Sequence, residues 1–247
     1  MQWSDEGIVL GVRRHGESSV IVELMTREHG RHLGLVHGGR SRSRQPTLQP
    51  GNLVQATWRA RLDEHLGTFQ IEGLKLRAGE FMASPLALYG LATLSHLLRN
   101  LPERDPHATL YETLTTLLDN LTDPDLAPPL FVQFELTILA EFGFGLDLTS
   151  CAASGAQDDL VYVSPKSGRA VSALAGEPYK DRLLRLPSFL IGQSRANRPP
   201  ADEIRDAFAL TDFFLRQFVF EPQGTAAPAE RARFIALATS EIDAARG

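Results

Sequence analysis

Through the first 80 positions apolar and polar residues alternate with a period of two; beyond them the spacing becomes helical. From Glu6 to Arg14, the residues Ile8, Leu10 and Val12 alternate with Val9, Gly11 and Arg13, as in a β-strand. Ser18 to Thr26 repeats the pattern with Val20, Val22 and Leu24, and Arg27-Glu28-His29-Gly30 supplies a turn. Arg31 to His37 makes a third strand with Leu33 and Leu35 on one face, broken by Gly38-Gly39. After Pro50-Gly51, the segment Asn52 to Arg61 sets Val54, Ala56, Trp58 and Ala60 against Gln55, Thr57, Arg59 and Arg61. A fifth strand runs from Thr68 to Leu76. Five short strands joined by turns predict a small closed barrel, and both an OB-fold and an SH3-like barrel satisfy the pattern.

Ser84-Pro85 is a cap followed by proline in the first helical turn, and Leu88, Leu91, Leu94, Leu98 and Leu101 follow at helical spacing until Pro102. A second helix spans His107 to Leu121 with Leu110, Leu114, Leu117, Leu118 and Leu121 inward. A third starts after Pro128-Pro129 and carries Phe131, Phe134, Ile138 and Phe142 up to Gly143. Residues 147–180 lose periodicity and collect Gly, Ser, Ala and Asp, which predicts an irregular insert. Asp202, as a cap, opens a helix to Phe220 with Ile204, Phe208, Thr211, Leu215 and Phe218 on its apolar face. A last Ala-rich helix, Glu230 to Ala244, buries Phe234, Leu237 and Ile242. The expected architecture is α+β: a barrel domain over residues 1–80 and a mainly helical domain over residues 81–247.

Composition narrows the class. Of 247 residues, 43% are hydrophobic and 22% charged, ordinary for a globular protein. No run approaches the roughly 18 apolar residues that span a bilayer, and the N-terminus carries acid where a signal peptide needs base. The single Cys151 excludes an intramolecular disulfide. The chain reads as soluble, cytoplasmic and without a membrane segment. Its net charge of −5 is uneven: residues 1–80 carry +2 and the remainder −7. Ten of the eleven N-terminal cations are arginine, which suits bidentate phosphate contact.

The densest chemistry lies in His37-Gly38-Gly39-Arg40-Ser41-Arg42-Ser43-Arg44, three arginines alternating with two serines after a glycine pair. No acid falls between Arg31 and Asp63, a span that also holds Arg59 and Arg61. Glycines admit a phosphate to the backbone, serines donate to it and arginines neutralise it; a solvated surface loop has the same composition. Arg40, Arg42 and Arg44 are the leading candidate contacts to a nucleic-acid backbone, with Arg13, Arg14, Arg31, Arg59 and Arg61 behind them. Of the barrel aromatics, Trp58 and Phe69 belong in the core, which leaves backbone tracking rather than base stacking. Catalytic patterns are thin. His15-Gly16-Glu17 matches H-x-E but lacks its P-C-x-x-C, and no G-x-S-x-G or Walker sequence occurs. Asp158-Asp159 and Cys151 are the residues a loop-borne hydrolase site would use. The expectation is a protein that is not an enzyme and carries no cofactor or metal.

Three stretches resemble the RecO family of recombination mediators: G-V-R-R-H-G-E-S-S-V-I-V-E-L-M-T-R-E-H-G-R (Gly11 to Arg31), G-G-R-S-R-S-R-Q-P-T-L-Q-P-G (Gly38 to Gly51) and F-E-L-T-I-L-A-E-F-G-F-G-L-D-L-T-S-C-A-A-S-G (Phe134 to Gly155). The first is similar to the family's E-x-S and T-x-x-x-G turns, the second to its basic loop and L-Q-P. The third is similar to its F-E-L…G-Y…C-x-x-x-G run. The resemblance covers nearly the whole chain. It implies an N-terminal OB-fold, a helical domain, and in some members a four-cysteine zinc site. It also implies binding of single- and double-stranded DNA, strand annealing, and assistance to RecA loading on DNA coated by single-strand-binding protein (SSB). The implied partners are RecR, the SSB C-terminal tail and, indirectly, RecA; the implied location is the nucleoid. Two departures stand out. Only Cys151 of the zinc cysteines remains, with Ser154, Val171 and Leu174 near the other positions, so the Ser164–Arg169 loop is expected to persist as a degenerate knuckle without metal. Val132 and Gln133 stand where some members carry the arginine linked to the SSB tail, which leaves Arg99 or Arg104 as alternative cations. A protein-interaction scaffold whose basic barrel binds an acidic partner is the alternative reading.

Overall fold

In the computed structural model, which describes residues 1–192 and 198–244, the alternating segments form β1 (Gln2–His15), β2 (Ser19–Thr26), β3 (Gly30–Val36), β4 (Leu53–Arg59) and β5 (Thr68–Lys75). They close into a barrel in the order β1-β2-β3-β5-β4. The long β1 pairs antiparallel with both β2 and β4, and the ring shuts where β3 runs parallel to β5 at Leu35 and Thr68. This is an OB-fold, and closure leaves no free sheet edge. The interior is filled by Val9, Val20, Val22, Leu24, Val36 and Trp58, among others.

The alternation is not uniform. A register shift between Val9 and Gly11 lets Val9 enter the barrel core while Ile8 and Leu10 are also buried, and Val12 emerges 41% exposed. On β3 the interior positions are His32, Gly34 and Val36; Leu33 and Leu35 share the outward face, half-buried. Gly34 is required there, because an added Cβ would lie 2.4 Å from the Phe69 ring. Gly30 is required at the β2–β3 turn, with φ +64 and the Asp105 carbonyl 1.9 Å from where a Cβ would stand. The Thr26 hydroxyl donates to the Gly30 carbonyl at 2.8 Å and accepts from the His29 amide, so the T-x-x-x-G spacing closes this turn.

The chain divides into two units, Met1–Leu118 and Asp119–Gly247. The first adds α1 (Ala78–Met82), α2 (Pro85–Leu98) and α3 (Ala108–Asp119) to the barrel. Ser84 caps α2 by accepting from the Ala87 amide, and Ser95 on its buried side donates to the Leu10 carbonyl of β1 at 3.1 Å. Leu91, Leu94 and Leu98 are buried on α2, whereas Leu88 is 44% exposed, outside the apolar stripe.

The second unit holds α4 (Ala127–Glu141), β6 (Leu160–Val163), β7 (Ala170–Ser172), α5 (Ala173–Gly176), β8 (Leu184–Arg185), α6 (Ala201–Leu215) and α7 (Ala229–Ala244). Here two expectations are corrected. The insert at 147–180 is irregular only in part: it supplies β6 and β7, which pair with β8 in a sheet whose strands are too short for their period to be read. Nor does Asp202 cap α6; Pro200 holds that position without a side-chain bond, and Asp202 sits with Glu203 in the first turn, where acid favours the helix dipole. Beyond α6 the helix widens to a π-type turn over Arg216–Phe220. Phe142 and Phe218 are half-buried rather than core. Phe131, Phe134, Phe208 and Phe234 form an aromatic cluster, and the Phe208 ring lies against the guanidinium of a buried ion pair, in which Arg231 Nε donates to Glu135 at 2.6 Å and Thr211 donates to the same carboxylate. The glutamate of F-E-L is therefore structural, and leaving either charge unpaired costs about 3–5 kcal/mol. Among the described residues no helix is long and apolar enough to cross a membrane.

Candidate nucleic-acid interface

The arginine-serine segment is built of hydrogen-bonded turns. The Ser41 amide donates to the Gly38 carbonyl, the Arg44 and Gln45 amides to Ser41, and the Leu48 amide to Arg44. Leu48 then enters the barrel core at 4% exposure and anchors the far end. Arg40 ties the near end to the β1–β2 turn, its amide donating to the Ser18 carbonyl at 3.1 Å and its guanidinium to Glu17. The E-x-S stretch thus serves the basic loop through backbone carbonyls. Arg42 and Arg44 remain exposed.

Two shallow cavities adjoin on this side of the barrel, because Val12 lines both. One, of about 380 Å³, is bordered by Arg14, Arg40, Gln45 and Gln49 with no acid. The other, of about 390 Å³, collects Arg13, Arg31 and Arg99 together with Glu23 and Glu103. Arg31 is 12% exposed: it pairs with Glu23 at 2.9 Å and Glu103 at 3.5 Å and donates to the Leu101 carbonyl. Arg99 pairs with the other oxygen of Glu23 at 2.8 Å and stays 48% exposed. Arg59 ends β4 and Arg61 begins the following connection; both are exposed and line neither cavity. Among the described residues no acid pairs with Arg13, Arg14, Arg40, Arg42, Arg44, Arg59 or Arg61.

Trp58 and Phe69 are core residues, 0% and 3% exposed. Trp3 stacks on His29 at 4.1 Å and on Trp58 at 5.7 Å. His32 lies edge-on to Trp3 and Trp58, and its ring is held near a pKa of about 4 by burial, then by Arg104 and His29, against Asp63. Arg104 donates to the carbonyls of Asp63 and His65 and sits over the Trp58 ring, pinning the β4–β5 connection. On α4, Val132 is buried and Gln133 exposed, so this position offers no cation to an acidic peptide.

The residues of the second unit do not fit zinc. Cys151 is buried and its sulfur accepts from the Ser172 amide at 3.3 Å and from the Ser172 hydroxyl at 3.5 Å. Burial raises this thiol, but the hydrogen bonds from Ser154 and Ser172 outweigh it and bring it to about 6. Val171 is buried in β7, Leu174 is 88% exposed, and among the described residues no three His, Cys, Asp or Glu side chains converge as metal ligands. A structural zinc site needs four ligands. The Ser164–Arg169 loop is instead a hairpin closed by the Ser164 amide on Arg169, and Asp147 bridges it by accepting from the Arg169 side chain. Asp158 and Asp159 are exposed.

Residues 1–77 match the family model for the N-terminal part of recombination protein O, and residues 82–225 match that for its C-terminal part. The chain belongs to the RecO family. It is 59% identical over 245 residues to the DNA repair protein RecO of Methylorubrum populi, covering 98% of this chain and 100% of that one. Identity to the DNA repair protein RecO of Sinorhizobium medicae is 57% over 235 residues, covering 95% and 94%. Glu23, Glu103 and Arg99 were not singled out from sequence as parts of the barrel face. Glu23 lies directly across from Gly11 on β1 and diagonal to Arg31 on β3, a relation that only the strand register reveals.

Proposed function

We propose that this RecO-family chain acts in DNA repair by homologous recombination as a non-catalytic mediator. It binds single- and double-stranded DNA, anneals complementary strands and, with RecR, assists RecA loading on SSB-coated DNA. The carrying observation is the acid-free cavity between Arg14 and Arg40, continuous through Val12 with Arg13, beside the exposed Arg42 and Arg44. Such a surface neutralises phosphates without reading bases, and annealing asks no more, since base pairing supplies the drive once repulsion is lowered. Arg59 and Arg61 extend the contact at the end of β4, and Arg31 contributes its positive field from within the ion-pair cluster rather than a phosphate contact. Residues 1–80 are the DNA-binding domain and 81–247 the partner-docking body, a division supported by the family models meeting between 77 and 82. RecR and the SSB tail enter on family membership, and no residue here is assigned to the tail.

The test is R40E/R42E/R44E, read by anisotropy of a labelled oligonucleotide between about 50 and 200 mM salt. We expect weaker binding and a salt slope for single strands reduced by up to about 2, at about 0.7 per phosphate contact. Unchanged affinity and slope overturn the assignment of the loop. A wild-type protein that binds no DNA even at low salt supports the scaffold reading instead.

A further inference from the structure

The cavity that collects Arg13, Arg31 and Arg99, next to the acid-free one, contains acids of its own. Glu23 projects from the outward face of β2 and divides its two oxygens between guanidiniums, 2.9 Å to Arg31 and 2.8 Å to Arg99. The two arginines differ in what else holds them. Arg31 is 12% exposed and keeps Glu103 and the Leu101 carbonyl as further partners. Arg99 is 48% exposed at the end of α2 and is held by Glu23. The fit is close: Gly11 lies under the Arg99 guanidinium, where an added Cβ would stand 2.5 Å from Nη2. Arg13, with no acid of its own, opens on the same cavity.

We propose that Glu23 is an internal competitor for the nucleic-acid backbone. In the free protein its carboxylate holds the place of a phosphate on Arg99. When a strand lies across β1, a phosphate takes Arg99 beside Arg13, and Glu23 keeps the buried Arg31, so no buried charge is left unpaired. The contact lowers affinity for DNA and holds Arg99 pre-positioned. The proposal rests on the DNA-binding reading above.

The experiment compares wild type with E23Q, with E72Q, and with E23Q/R99Q, using a labelled oligothymidylate at several salt concentrations. Glu72 is an exposed acid on β5 and controls for net charge. E23Q should bind about three- to tenfold tighter than E72Q at low salt, with a slope steeper by about 0.7, one phosphate. The gain should vanish in E23Q/R99Q. G11A approaches the same contact from β1 and should tighten binding by displacing the Arg99 guanidinium; it serves where E23Q does not fold. Wild-type binding with E23Q no tighter than E72Q, or with G11A unchanged where E23Q does not fold, overturns the competitor role alone. No wild-type binding at any salt overturns the DNA-binding reading and this inference with it.

Discussion

His32 is 2% exposed inside the barrel, and neither ring nitrogen has a hydrogen-bond partner among the described residues. Trp3, Trp58 and Phe69 surround it, and the charged groups that reach it are Arg104, His29 and Asp63. Burial, Arg104 and His29 lower its pKa from 6.5 to about 4. The folded protein therefore refuses a proton that the unfolded chain accepts, and stability falls as pH drops from about 6.5 toward about 4. Above that window both states are neutral and the group is silent. His32→Leu should flatten the decline in urea midpoint between pH 7 and pH 5, without the penalty of a lost hydrogen bond at pH 7. An equally steep decline in the variant would show that His32 is not the group responsible.

At the scale of elements, the sheet β7-β6-β8 is tied to the residues that precede it by hydrogen bonds. Asp147 accepts from the Arg169 side chain, its amide donates to the Gly168 carbonyl, and its own carbonyl accepts from Ala170. Cys151 is drawn against Ser172 by two hydrogen bonds to sulfur. These bonds stitch residues 147–152 to β7. Prolonged treatment with a strong chelator should leave the thermal transition unmoved, and a fall in midpoint would reveal a metal contribution. This region was also the least legible in the sequence, because strands of three and four residues carry no measurable period. The barrel was legible where one face is buried throughout, as on β4, and misleading where two faces are buried or a glycine yields space. Ile8, Val9 and Leu10 are all buried, and Gly34 gives way to Phe69. In the site, the arginines could be found by composition, since an acid-free run is visible in any chain. Their partners could not, because Glu23 meets Arg99 from 76 residues away.

At the scale of the whole molecule, a net charge of −5 divides into +2 over residues 1–80 and −7 over the rest. A polyanion approaching the basic face meets two fields with different reach. On the proposed DNA-binding reading, the contact term would arise from phosphates displacing counterions at Arg13, Arg14, Arg40, Arg42 and Arg44, and would weaken linearly in log salt. The opposing term is repulsion by the acidic remainder, which acts over the Debye length: about 30 Å at 0.01 M salt but about 10 Å at 0.1 M. Raising salt from the lowest values therefore removes repulsion while it weakens contact. Five phosphates at about 0.7 each give a single-strand slope near −3.5 between about 50 and 200 mM, a loss of roughly a hundredfold. Below about 30 mM the plot should bend and flatten, because the screened repulsion returns. Anisotropy titrations across both ranges decide the matter. A straight line continuing to the lowest salt would mean that the acidic remainder exerts no field on the bound strand, and that the basic face alone governs association.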